Sequence, residues 1–281
     1  GGLTDTMARL VGQKVGEAFK QTVIIDNRPG ANANLGAELA ARAAPDGYTW
    51  LAITLTHAVN QSLFPRLSYN LEKYLAPVAH LATSPLVLVV YVDNYAKTLQ
   101  EFLANAKGKS LNAGSSGNGT PPHLGFELLI INAKINAQHI PYKGGAPSLT
   151  DLLGNRLDFI VSNLPESETY IKTGKLRALA VTSSERNSLL PDVPTFAESG
   201  LPDMNLENWT GLVVPARTSP AIIDNVAAQA IKAVQSPDVR QRLLGMGFMP
   251  TGLGPAAFGA VIHKDVARWR EIIQLRHITA G

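Results

Sequence analysis

The chain has 281 residues, 45% hydrophobic and 17% charged, enough to bury one large or two smaller folded domains and too apolar for a disordered one. Its formal charge of +3 is small and scattered, with no basic run carrying interleaved aromatics, which argues against a nucleic-acid partner. The lack of cysteine excludes disulfides and thiolate chemistry, and no apolar run reaches the roughly 18 residues of a membrane span.

Gly1–Asp5 forms the tail of a Gly-rich loop, with Thr4 or Asp5 capping a helix that sets Met7, Leu10, Val11, Val15 and Phe19 on one face. Thr22–Ile25 predicts a short strand closed by Asp26–Gly30. A helix over roughly 35–44 follows and stops at the Pro45-Asp46-Gly47 turn. Tyr48–Thr54 is the next strand, and Thr54–Asn60 a polar crest that carries Thr56, His57 and Asn60. Pro77–Val92 predicts two strands broken at Thr83-Ser84-Pro85, and Thr98–Ala106 a helix capped by Thr98.

Leu111–Leu124 organises the middle of the chain: a strand end, the turn Gly114-Ser115-Ser116-Gly117-Asn118-Gly119, and a helix capped by Thr120 with Pro121 in its first position. Glycines 114, 117 and 119 allow close backbone approach, and unpaired amides at a helix start favour an anion. Lys143–Pro147 repeats the theme after a strand ending near 139–142. Leu157–Ser162 is a strand that presents Asn163, and Leu176–Thr182 and Trp209–Val214 are further strands. Helices over 222–235, 237–246 and 255–273 close the chain without strands of their own, so they cover the first part of the molecule. The alternation reads as α/β, with one lobe of 1–92 plus 216–281 and a second of 93–215.

Enzyme signatures come close and fail. The nucleophile-elbow spacing at Gly114–Asn118 ends on Asn118 where glycine is required. The phosphate-loop spacing from Gly114 lacks its lysine, and a dinucleotide fingerprint from Gly117 fails at Pro122. The six histidines form no short-spaced ligand pair. His123 reads as a structural hydrogen-bonding residue, His139 as one without a function, and Glu166 and Glu168 as solvent-facing. No catalytic triad can be assembled, and no metal or cofactor is expected. What remains is three turns, 1–5, 114–120 and 142–147, able to hold a carboxylate by backbone donors and hydroxyls, with Lys143 the one cation beside them.

Several segments resemble Bug-type solute receptors, the periplasmic substrate-binding components of tripartite tricarboxylate transporters. They are Gly1–Asp5, Asp26-Asn27-Arg28-Pro29-Gly30-Ala31, Ala43-Ala44-Pro45-Asp46-Gly47-Tyr48-Thr49, Gly114–His123, His139–Ala146, Gly174–Thr182 and Leu190–Thr195. They run in the family's order over nearly the whole chain. The resemblance implies a two-lobed periplasmic-binding-protein fold, the type II "Venus flytrap" with two crossover strands, that binds a small organic carboxylate between its lobes. It implies delivery to membrane permease subunits, a monomer, no enzymatic activity, and a periplasmic mature chain whose signal peptide is absent from this sequence. Alternatives of other classes are a sensory receptor of the same fold and an α/β enzyme acting on a carboxylate.

Carried over by position, the family's ligand contacts fall on Gly1, Gly2 and Asp5, and opposite them on Ser115, Ser116, Gly119 and Thr120. Thr54 and His57 lie at the next strand end, Tyr142, Gly144 and Asn163 line the second lobe, and Trp209 lies at the return crossing. The sequence also departs from the family. The first strand is absent, Asn32-Ala33-Asn34 replaces the usual Gly-Gly, and Ser162 stands where an Asp commonly precedes the Asn. The Asp position contacts ligands that carry an amine, so its loss favours a plain carboxylate over an amino acid.

Overall fold

The computed structural model describes residues 3–280. In chain order the elements are α1 (Leu3–Phe19), α2 (Asn34–Arg42), β1 (Leu51–Thr54), α3 (Leu55–Leu63), α4 (Leu71–Tyr74), β2 (Leu75–Tyr91), α5 (Leu99–Ala106), β3 (Ser110–Ser115), α6 (Pro121–Ala133) and β4 (Asn136–Pro141). They continue with α7 (Gly145–Leu153), β5 (Phe159–Asn163), α8 (Leu164–Lys172), β6 (Leu176–Val181), β7 (Glu207–Pro215), α9 (Pro220–Gln235), α10 (Pro237–Gly245), β8 (Met249–Leu253) and α11 (Pro255–Arg276). The chain divides into two compact units. One holds the described residues up to Thr83 with Trp209–Leu244 and Met249–Ala280, and the other holds Ser84–Asn208 with Gly245–Phe248.

In the first unit β1 pairs antiparallel with β7, Leu51 facing Val213 and Thr54 facing Thr210. The opening half of β2 pairs antiparallel with β8, His80 facing Leu253. Met7, Leu10, Val11 and Val15 form the buried face of α1, and Phe258, Trp269 and Trp209 fill the core beside β7. In the second unit the closing half of β2 pairs antiparallel with β5 and β6, while β3 runs parallel to both β4 and β5. Phe102 and Phe126 pack on Phe159 with ring centroids 5.2 and 6.2 Å away. Val87, Val89, Leu149, Leu152, Ile160 and Leu164 belong to a buried cluster in the same unit.

Four expectations change. The stretch 77–92 is one strand, because the pairing partner switches at Pro85: residues up to Thr83 pair with β8, and Leu86 onward pairs with β5. A proline is tolerated where no ladder amide is needed. Residues 22–25 lie in no strand; Val23 packs against Gly12 while Ile24 is 83% exposed, so they have the alternation of a strand without a ladder. Residues 55–63 are helical rather than a loop crest. The closing helices do carry a strand, β8, whose Pro250 and Gly252 hid it from pattern reading.

Candidate functional site

Ligands of α/β sheets bind at the carboxyl ends of parallel strands. In the second unit those ends are Asn163 on β5, Ser115 on β3 and Pro141 on β4. Two backbone bonds continue the β3–β4 ladder into the turns, from Tyr142 N to Ser115 O (3.1 Å) and from Gly144 N to Ser116 O (3.2 Å). The structure therefore brings Ser115, Ser116, Gly119, Thr120, Tyr142 and Gly144 onto one rim. Ser116 and Thr120 are half-buried, Ser115 and Gly119 buried, and Lys143 exposed.

Three amides of this turn are already paired, where the sequence suggested free ones. Gly117 N donates to Ser115 Oγ (3.0 Å), Gly119 N to His123 Nδ1 (3.0 Å) and Thr120 N to Gly117 O (3.3 Å). Pro121 and Pro122 have no amide to offer. The left-handed φ values of Gly117 (128°) and Gly119 (71°) make this tight curl possible. Gly114 serves another purpose: a Cβ there would lie 2.6 Å from Leu157 Cδ1, so it makes room for the core. Two hydroxyls of the turn, on Ser116 and Thr120, are partly accessible. Ser116 Oγ donates to Thr120 Oγ1 (3.0 Å), which donates to Gly117 O (2.7 Å).

Two imidazoles brace the turn from beneath. His123 and His139 stack with centroids 3.8 Å apart and planes 5° from parallel. His123 Nδ1 accepts from Gly119, so in the neutral ring Nε2 carries the proton, 3.4 Å from Glu127 Oε1. His139 Nε2 lies 2.6 Å from Ser115 Oγ. Burial, and then the neighbouring His123, holds His139 down at about 4, so it is neutral near pH 7, and its Nε2 shares one hydrogen bond with the Ser115 hydroxyl. His139, expected to have no function, thus supports the turn from β4 through Ser115.

Asn163 is buried, donates from Nδ2 to Glu166 Oε2 (3.2 Å) and accepts at Oδ1 from Asn208 Nδ2 (3.3 Å). Glu166, expected to face solvent, is half-buried against the start of α7: a Cβ on Gly145 would lie 2.3 Å from its Oε2. Burial raises its pKa above the usual carboxylate value against the opposing bond from Asn163. The Asn163-Leu164-Pro165-Glu166 spacing is that of a capping box and could have revealed the contact. Ser162 turns its hydroxyl to the Asn163 carbonyl (3.2 Å). Tyr142 donates its hydroxyl to Asp151 Oδ2 (2.7 Å), and burial pushes its pKa up to about 12.

The remaining predicted residues lie in the first unit. Gly1 and Gly2 fall outside the described residues. Asp5 accepts from Arg9 Nε (3.2 Å) and Asn27 Nδ2 (2.8 Å), bonds that hold its carboxyl below the ordinary range. Thr54 and His57 meet at the start of α3, where His57 Nδ1 accepts from Thr54 N (3.1 Å). Burial lowers His57 to about 4, which makes it a neutral helix-start acceptor. Beside them Ala31, Asn32 and Ala33 are consecutively left-handed (φ 48°, 55° and 69°). Fully buried Asn60 holds this bend, donating to Asn32 O and Asn34 Oδ1 at 2.8 Å each, and sequence reading missed that role. Trp209 is buried, with Nε1 on Asp265 Oδ2 (2.7 Å) and its ring edge-on to Phe258. No group of three His, Asp or Glu side chains among the described residues is arranged to hold a metal.

Residues 7–278 match the profile of the tripartite tricarboxylate transporter family receptor, TctC. Protein BugT of Bordetella pertussis is 32% identical over 278 residues, 98% of this chain and 85% of its own length. MatC from Rhodopseudomonas palustris, solved with bound malate, superposes with a TM-score of 0.87 at 31% identity, over 97% of this chain and 95% of its own. A second R. palustris protein, solved with adipate, gives 0.92 at 29% identity, over 99% and 94%.

Proposed function

Because the chain belongs to the tripartite tricarboxylate transporter receptor family, whose members are solute receptors of type II periplasmic-binding-protein fold and not enzymes, we propose that it captures a small organic carboxylate in the periplasm. It acts as a monomer and delivers the ligand to the permease subunits of a tripartite transporter. The observation that carries this reading is the turn after β3, with the hydroxyls of Ser116 and Thr120 half-buried at the carboxyl end of a parallel strand. A carboxylate accepts from both hydroxyls once Ser116 releases Thr120 and Thr120 releases Gly117 O. Charge-assisted bonds outweigh neutral ones, so the exchange favours the bound state.

Tyr142, Gly144 and Asn163 lie on the same rim of the second unit. Asp5, Thr54 and His57, with Gly1 and Gly2, are ligand contacts by family position. Trp209, a ligand contact by family position, bonds Asp265 Oδ2 through its Nε1. The malate and adipate held by two relatives support a carboxylate for this chain. A thermal-shift screen with mono-, di- and tricarboxylates tests the proposal. A concentration-dependent rise in melting temperature with at least one acid is expected. No shift with any acid, combined with a shift by a sugar or a cation, overturns it.

A further inference from the structure

The acceptors around Asn163 point to a ligand property that a carboxylate alone does not supply. Glu166 sits three residues after Asn163, on the first turn of α8 and against Gly145, so it belongs to the same strand-end rim as the turns described above. Among the described residues its hydrogen-bond partner is Asn163 Nδ2, through Oε2, and no cation pairs with it. An ionised Glu166 obliges Asn163 to present Nδ2 to it and Oδ1 to Asn208. Asn208 must then present Nδ2 to Asn163, which leaves Asn208 Oδ1 buried without a donor. One carboxylate thus sets the direction of the whole chain and leaves the cluster short of hydrogen-bond donors at both ends.

Such a cluster discriminates between ligand ends. A second carboxylate brought beside Glu166 meets a like charge in a half-buried position, and the start of α7, which would otherwise favour an anion, already has the Glu166 carboxylate against it. A hydroxyl or ammonium group meets an acceptor in need of a proton. Building on the carboxylate-receptor reading, we propose that Glu166 is a specificity-determining residue that selects ligands with a hydrogen-bond donor remote from their carboxylate over dicarboxylates of the same length. Ser162, buried and bonded to Asn163 O, takes no part in this choice.

The test uses matched linear acids of three to six carbons that differ only at the far end: the α,ω-dicarboxylates, the ω-hydroxy acids and the ω-amino acids, titrated calorimetrically. Wild type binds at least one hydroxy or amino acid about tenfold or more tightly than the dicarboxylate of equal length, as expected from like-charge rejection. E166Q narrows that ratio to within about threefold, mainly by tightening the dicarboxylate. Glu166→Ser serves the same purpose if E166Q does not fold. A wild-type preference for the dicarboxylate, or a ratio unchanged in a folded Glu166 variant, overturns the inference while leaving the carboxylate receptor intact. Failure of every carboxylate in the thermal screen, with a shift by a sugar or a cation, would instead remove the receptor reading itself.

Discussion

Gly125 lies within α6, the helix that carries Thr120 at its cap and His123 in its first turn. Replacing an interior helical glycine by alanine ordinarily stabilises a protein by about 1 kcal/mol. Here the new Cβ would lie 2.6 Å from Val161 Cγ1, 3.3 Å from Val161 Cβ and 3.1 Å from Leu86 Cδ2. Both neighbours are fully buried, and Val161 has little χ1 freedom on its strand. Overpacking of this kind costs about 1–3 kcal/mol, so the net effect of Gly125→Ala is a loss of about 1 kcal/mol. If Val161 causes the overlap, Val161→Ala relieves it, and the two changes couple by at least about 1 kcal/mol in a double-mutant cycle. Urea denaturation of wild type, both single variants and the double variant measures each quantity. A more stable Gly125→Ala protein, or additive changes, would refute the packing argument.

Thr120→Ala removes one half-buried hydroxyl from the turn and weakens binding of the best carboxylate by about 1 kcal/mol, whereas Thr120→Ser retains it. Equal affinities by calorimetry would take Thr120 out of the binding surface. Ala33→Gly relaxes a left-handed alanine at the start of α2 and raises unfolding stability by about 0.5 kcal/mol; a decrease in the urea midpoint would contradict this. His57 and His80 are both buried, and burial lowers each from 6.5 to about 4, so the unfolded chain takes up their protons first. Their contribution is complete above about pH 6.5 and declines as the pH falls to about 4, by up to about 3 kcal/mol each. Stability that stays level between pH 7 and pH 4 would show that these rings are not desolvated.

The elements with strong local signals were readable from sequence. The β5 and β6 stretches are short apolar runs bounded by turn residues, and Thr98 caps its helix as expected; Thr120 holds the cap position of α6, but its hydroxyl turns back to Gly117 O instead of capping the helix. Features decided by distant partners were not readable. Pro85 looked like a break because the exchange of β8 for β5 as the neighbour of β2 leaves no local trace. Val23 and Ile25 had strand chemistry, yet a strand also requires a ladder. At the rim the turns themselves could be placed from Gly, Ser and Pro. The destinations of their amides could not, since the acceptors include an imidazole four residues on and a serine two residues back. Glu166 was missed because an acid after a proline resembles a solvated helix start; its spacing from Asn163 hinted at their bond, but its approach to Gly145 left no local trace.

The proposed function has the rim recognise a ligand carboxylate. Calorimetric titration of wild type with the best acid from the screen, and with its primary amide, tests this recognition. One-to-one binding of the acid is expected, with an amide weaker by about tenfold or more, as loss of a charge-assisted contact requires. An amide that binds as tightly as the acid would contradict it.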